Sequence, residues 1–76
     1  MEAMIESLAR ALVDHPDQVR VEGADDRGAT VVMLHVADED LGQVIGRGGR
    51  IARSLRVLLR ASATAHGRRA VLEIVD

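Results

Sequence analysis

Seventy-six residues with no cysteine, no aromatic side chain and a formal charge of −2 leave room for one small domain. A chain this short buries only about 60% of its unfolded surface on folding, which argues against large enclosed pockets. The lack of thiols excludes a disulfide frame, a cysteine nucleophile and a thiolate zinc site, and predicts a reducing, cytoplasmic setting.

Met4, Ile5, Leu8, Ala9 and Leu12 recur at helical spacing, with Glu2, Glu6 and Arg10 between them, predicting an amphipathic helix over residues 3–13. His15-Pro16 ends it, because the proline ring disfavours helical geometry in the preceding residue. The acidic, interrupted start is unlike the basic-then-apolar pattern of a secretory signal, and no apolar run approaches the roughly 20 residues that span a bilayer. Val19 and Val21 alternate with polar residues as in a half-buried strand, and residues 23–28 carry turn chemistry. Residues 30–36 form a β-branched run long enough for a central strand, joined to the first by a hairpin.

Residues 38–45 are expected to be a short helix whose acids Asp38, Glu39 and Asp40 cap its start; that role explains them better than a metal site. Gly46-Arg47-Gly48-Gly49 interrupts the helical pattern, which resumes over residues 50–65 and closes at Gly67. Residues 70–75 read as a final strand. The order is α-β-β-α-α-β: an α+β domain with strands two and three parallel through a helical crossover and strand one an antiparallel edge. All helices are expected on one sheet face. The other, with Arg20, Val31, Met33, His35, Val71, Glu73 and Val75, is left partly apolar and available to a protein partner or a second copy.

Charge is strongly segregated. Residues 1–40 hold ten acids against Arg10, Arg20 and Arg27, whereas residues 41–69 hold seven arginines and no acid. Such a block makes a local positive field that the total conceals and points to an anionic partner. At about 100° per residue, Arg50, Arg53, Arg56 and Arg60 form one stripe, opposite Ile51, Leu55, Leu58 and Ser62. Arg50 and Arg53 adjoin the glycines and are candidates for phosphate contact. Arg56 and Arg60 are expected to provide solubility or to pair with the acidic first half.

The glycines do not fit nucleotide-cofactor motifs. A P-loop requires Gly-Lys-Ser/Thr after a strand, and a dinucleotide fingerprint would need glycine where Ile51 stands. His15, His35 and His66 are scattered, read as surface residues, and suggest no acid-base or nucleophilic centre, so no enzyme activity and no cofactor are expected. Gly46 and Gly49 are expected to clear space for a sugar-phosphate backbone, with N–H groups at the next helix start as donors and Arg47 and Arg50 as charge. Ile45 and Ile51, with Leu41 and Val36, are suited to an apolar floor for bases. The absence of rings argues against a stacking sheet of the RRM kind.

Residues 40–51, Asp-Leu-Gly-Gln-Val-Ile-Gly-Arg-Gly-Gly-Arg-Ile, resemble the helix, G-x-x-G loop and helix start of KH domains. The element order is similar to the type II version of that fold, with a β-α-α-β core at residues 30–76 and an α-β extension at residues 1–23. Over its whole length the chain resembles the small single-domain KhpA family. That resemblance implies a single-stranded RNA-binding protein contacting RNA through Ile45, Gly46, Arg47, Gly48, Gly49, Arg50, Ile51 and Arg53. It further implies an RNA chaperone or post-transcriptional regulator linked to cell shape and cell-wall control, and a homodimer or a heterodimer with a KhpB-type protein. Two other readings remain open: a protein-binding adaptor using the outer sheet face, and a helix-turn-helix DNA binder using residues 50–65.

Overall fold

The structure, a computed structural model, describes all residues, Met1–Asp76. The apolar periodicity at the start becomes α1 (Glu2–Leu12), with Glu2 in its first turn and Arg10 in its last, the charges that suit a helix dipole. Ile5 and Ala9, one turn apart, are fully buried. Leu12, expected on that face, is 37% exposed. The chain leaves the helix there, and the extended Val13 packs on the core instead. A 3-10 turn at Pro16–Gln18 then delivers the buried Val19 to the sheet.

Strand β1 (Arg20–Asp26) pairs antiparallel with β2 (Ala29–His35), which pairs parallel with β3 (Arg69–Val75), in the order β1-β2-β3. Only Arg27 (φ 53°) and Gly28 (φ 81°) form the β1–β2 turn, both in the left-handed region that a tight two-residue hairpin requires. Residues 23–26, expected to be turn, are therefore strand: Gly23, Ala24, Asp25 and Asp26 stand opposite Val32, Val31, Thr30 and Ala29. The β-branched partner strand imposes its ladder on residues of low β propensity. They are tolerated because β1 is an exposed edge, where acids also discourage pairing with another chain.

Alternation along β2 buries Thr30, Val32 and Leu34, and Val32 and Leu34 join Ile5, Ala9, Val19, Val44, Leu55, Leu59 and Leu72 in the core. Residues 1–23 thus contribute to the same core as the rest. The helices lie on one face, and the opposite face keeps the half-buried Val31, Met33, His35 and Val75 and the exposed Val71 uncovered.

The helix expected over residues 38–45 is a 3-10 turn at Asp38–Asp40 followed by α2 (Leu41–Ile45). None of the three acids caps it with its side chain. Asp40 instead turns inward, 1% exposed. Helix α3 (Arg50–Ala65) matches the expected range and ends at His66, with Gly67 at φ 68°. Its buried residues are Ala52, Leu55, Leu59 and Ala63, and Leu58 is 46% exposed. The buried stripe is rotated from the expected one: Ala52, Leu59 and Ala63 are buried in place of Leu58 and Ser62.

Candidate nucleic-acid interface

The corner between α2 and α3 is shaped from within. Val44 is fully buried and anchors α2 to the core, which leaves its neighbour Ile45 40% exposed at the surface. Gly46 reverses the chain at φ 76°, ψ 170°, its N–H donating to the Gly42 carbonyl at 2.8 Å. A 3-10 turn at Arg47–Gly49 follows, closed by the Gly49 N–H donating to the Gly46 carbonyl at 3.1 Å. Gly48 and Gly49 have φ of 63° and 76°.

The glycines serve different ends. A Cβ at Gly46 would lie 2.7 Å from Cγ1 of Ile51, so turn geometry and Ile51 packing by themselves require this glycine. The bare, open backbone is at Gly48, where a Cβ meets nothing within 4 Å, and at Gly49, where it meets only Nη1 of Arg53 at 3.7 Å. That last contact places the Arg53 guanidinium against the loop. Ile51, half-buried, packs against the core, as does Val36, and Leu41 is half-buried as well.

Gly49 is the N-cap of α3 and offers no side-chain acceptor, and no acid occupies the first turn. The first N–H groups of a 16-residue helix therefore meet no capping side chain beside Gly48 and Gly49. Arg47, Arg50 and Arg53 are exposed and pair with no carboxylate. Neither do Arg56 and Arg60, so of the two roles expected for them, solubility or pairing with the acidic half, the pairing is not formed. The carboxylates at 6, 22 and 25 are engaged elsewhere, by Arg10, Arg20 and Arg68 respectively. A cationic corner with open glycine backbone is suited to an anionic chain in close contact.

One feature near the corner escaped the sequence reading. Asp40 Oδ2 accepts hydrogen bonds from the His15 backbone N–H at 2.9 Å and from its Nδ1–H at 3.1 Å. Gln43 Nε2 donates to Asp14 Oδ2 at 3.1 Å. Together these bonds tie the α1–β1 connection to the start of α2. The hydrogen bond to Asp40 and its charge raise the His15 pKa above 6.5, helped by Glu39 and Asp14 and opposed by partial desolvation. The partners are 25 residues apart, so no local pattern announces them. His15, read as a free surface residue, is thus a structural link.

No group of three His, Cys, Asp or Glu side chains is placed to hold a metal ion, and no helix is long and apolar enough to cross a membrane. The family model described as the KhpA/KhpB KH domain matches residues 2–74. The chain belongs to the KhpA/KhpB KH-domain family. It is 52% identical over 75 residues to the "RNA-binding protein KhpA" of Treponema pallidum, covering 99% of this chain and 94% of that protein. It is also 46% identical over 76 residues to the protein of the same name from Halalkalibacterium halodurans, covering both in full. A third such protein, from Aquifex aeolicus, is 44% identical over 73 residues, 96% of this chain and 92% of that one. The α+β architecture with its three-stranded mixed sheet is that of a KH domain, and the glycine corner lies inside the matched span.

Proposed function

We propose that this KH domain binds single-stranded RNA at the α2–α3 corner. Gly48 and Gly49 admit the sugar-phosphate backbone, and the N–H groups at the start of α3 donate to a phosphate oxygen. Arg47, Arg50 and Arg53 supply charge, while Ile45 and Ile51 support the bases. Gly46 holds the shape. The observation that carries this reading is the pairing of open glycine backbone with arginines that have no carboxylate partner. It is supported by relatives named RNA-binding proteins. The finer role is that of a cytoplasmic RNA chaperone or post-transcriptional regulator with ties to cell shape and cell-wall control, as the KhpA resemblance implies.

One such groove spans about four nucleotides, so useful selectivity calls for a second module, in a homodimer or with a KhpB-type protein. An exposed apolar side chain suited to such pairing is Val71 on the outer sheet face, away from the arginine stripe of α3.

Fluorescence anisotropy with unpaired RNA, matched single-stranded DNA and duplex DNA tests the site. The wild type is expected to prefer unpaired RNA, with a log-log salt slope near −2 for about three neutralised phosphates. The double variant Arg47→Asp/Gly48→Asp is expected to lose binding while keeping its circular dichroism spectrum. Aspartate tolerates the left-handed conformation better than most residues, and a Cβ at 48 enters open space. A preference for duplex, or unchanged RNA binding by the variant, overturns the assignment.

A further inference from the structure

The positive surface does not end at the glycine corner. Along α3, Arg50, Arg53, Arg56 and Arg60 are all exposed and none meets a carboxylate. At 1.5 Å per residue, Arg60 lies about 15 Å beyond Arg50 along the helix axis. There the surface turns concave. Arg60 and Thr64 of α3 share a cleft of about 380 Å³ with Arg68, Arg69, Ala70 and Val71, where the chain enters β3, and with Ala29 of β2.

The arginines of this cleft are held differently. Arg68 is fixed: its Nη2 donates to Asp25 Oδ1 and to Thr30 Oγ1, both at 2.9 Å, and Thr30 Oγ1 donates to the same carboxylate at 3.1 Å. This network braces the hairpin against the start of β3 and neutralises Arg68. Arg60 and Arg69 have no such partner and stand exposed beside the Thr64 hydroxyl. Two arginines without a carboxylate partner beside a recess, with a threonine and no acid among the lining residues, form a receptor for a phosphodiester.

We propose that the cleft of Arg60, Thr64 and Arg69 is a second phosphate-binding site, which holds the backbone of the same RNA strand after it leaves the glycine corner along the arginine stripe. This rests on the RNA-binding reading above and extends it: the ligand is an unpaired strand longer than the roughly four nucleotides that a KH corner clamps. The stripe supplies continuity, since no carboxylate pairs with its arginines between the two sites. The contacts are to backbone, so the extension adds affinity without sequence preference.

The test is a length series of unpaired RNA, with oligomers of four, eight and twelve nucleotides of one composition, measured against wild type, Arg60→Glu/Arg69→Glu and Arg47→Asp/Gly48→Asp. An eight-mer offers a four-nucleotide site about five registers, so a gain of about fivefold from four to eight is statistical. Wild type is expected to gain about tenfold beyond that, with the salt slope steeper by about 1.4 for two further phosphates. In Arg60→Glu/Arg69→Glu the gain is expected to fall to the statistical value, with four-mer binding within about twofold of wild type. Arg60→Lys/Arg69→Lys, which keeps the charge, is expected to retain most of the slope, a result that a merely structural role does not produce.

A wild-type gain no greater than statistical overturns the second site, as does an Arg60→Glu/Arg69→Glu variant that keeps the full gain. Both outcomes leave the corner standing if the four-mer still depends on Arg47 and Gly48. Failure of the corner reads out separately, as a four-mer that binds wild type and Arg47→Asp/Gly48→Asp alike.

Discussion

Two turns in this molecule use the same materials. The hairpin tip is Arg27-Gly28 and the helix corner contains Arg47-Gly48, and in each the glycine has positive φ and open space around its missing side chain. The hairpin tip follows Asp25 and Asp26 on an acidic strand and leads straight back into the sheet. The corner has no acid from residue 41 to residue 69 and opens onto a helix start without a capping side chain. Glycine beside arginine is therefore not a site. What distinguishes the corner is a block of arginines with no acid within it, opening onto a helix start.

The largest expected effect breaks the likeness between the glycines themselves. Gly46→Ala combines left-handed backbone strain of about 1–2 kcal/mol with overpacking against Ile51 of about 1–3 kcal/mol, whereas Gly28→Ala, in open space, costs only the strain. Urea denaturation of the two variants should separate them by at least the packing contribution. Equal losses would show that Ile51 yields without cost.

Charge reversal compares the tips directly. Arg47→Asp is expected to weaken binding of unpaired RNA by about ten- to a hundredfold, in line with the loss of a charge-assisted contact of about 1.5–3 kcal/mol. Arg27→Asp is expected to change it less than about twofold, since exposed charges distant from a ligand are screened. Similar losses at both positions would mean that net charge, not the corner, governs binding.

A comparable contrast exists between two acids. Asp40→Ala removes the nearly fully buried carboxylate that accepts from the His15 N–H and ring, and should lower the urea midpoint by the larger amount. Asp25→Ala, in a pair with 72% of the carboxylate side chain exposed, should cost at most about 1 kcal/mol.

The smallest effect is the pH dependence of the His15 link. The folded-state pKa is raised above 6.5, so the protonated ring stabilises the fold fully below 6.5, and that contribution fades as pH rises through the raised value. The urea midpoint of the wild type should therefore fall across this interval relative to that of His15→Gln. Parallel pH profiles for the two proteins would show the link to be neutral.

The course of the chain was legible where periodicity is strong and local. Helix α3 has its expected limits because its helical periodicity and Gly67 both mark them, and the central strand differs by one residue at each end. The extent of β1 was not legible. Gly23, Asp25 and Asp26 have turn composition, and only the register with β2 makes them strand. The glycine corner was visible as a motif, but the division of labour within it was not. Gly46 and Gly49 look equivalent until Ile51 is seen against one of them. Asp40 was misjudged because its partner lies on another element, and Leu58 because an idealised helical projection does not record which side of the apolar stripe the rest of the core covers.

The contact between Gly46 and Ile51 has a thermodynamic consequence. Ile51 is simultaneously a core-packing residue and the wall that sets the loop's curvature, so the folded protein arrives with its corner already cast. Docking a strand then requires little loss of main-chain freedom on the protein side, and the entropic penalty falls chiefly on the flexible nucleic acid.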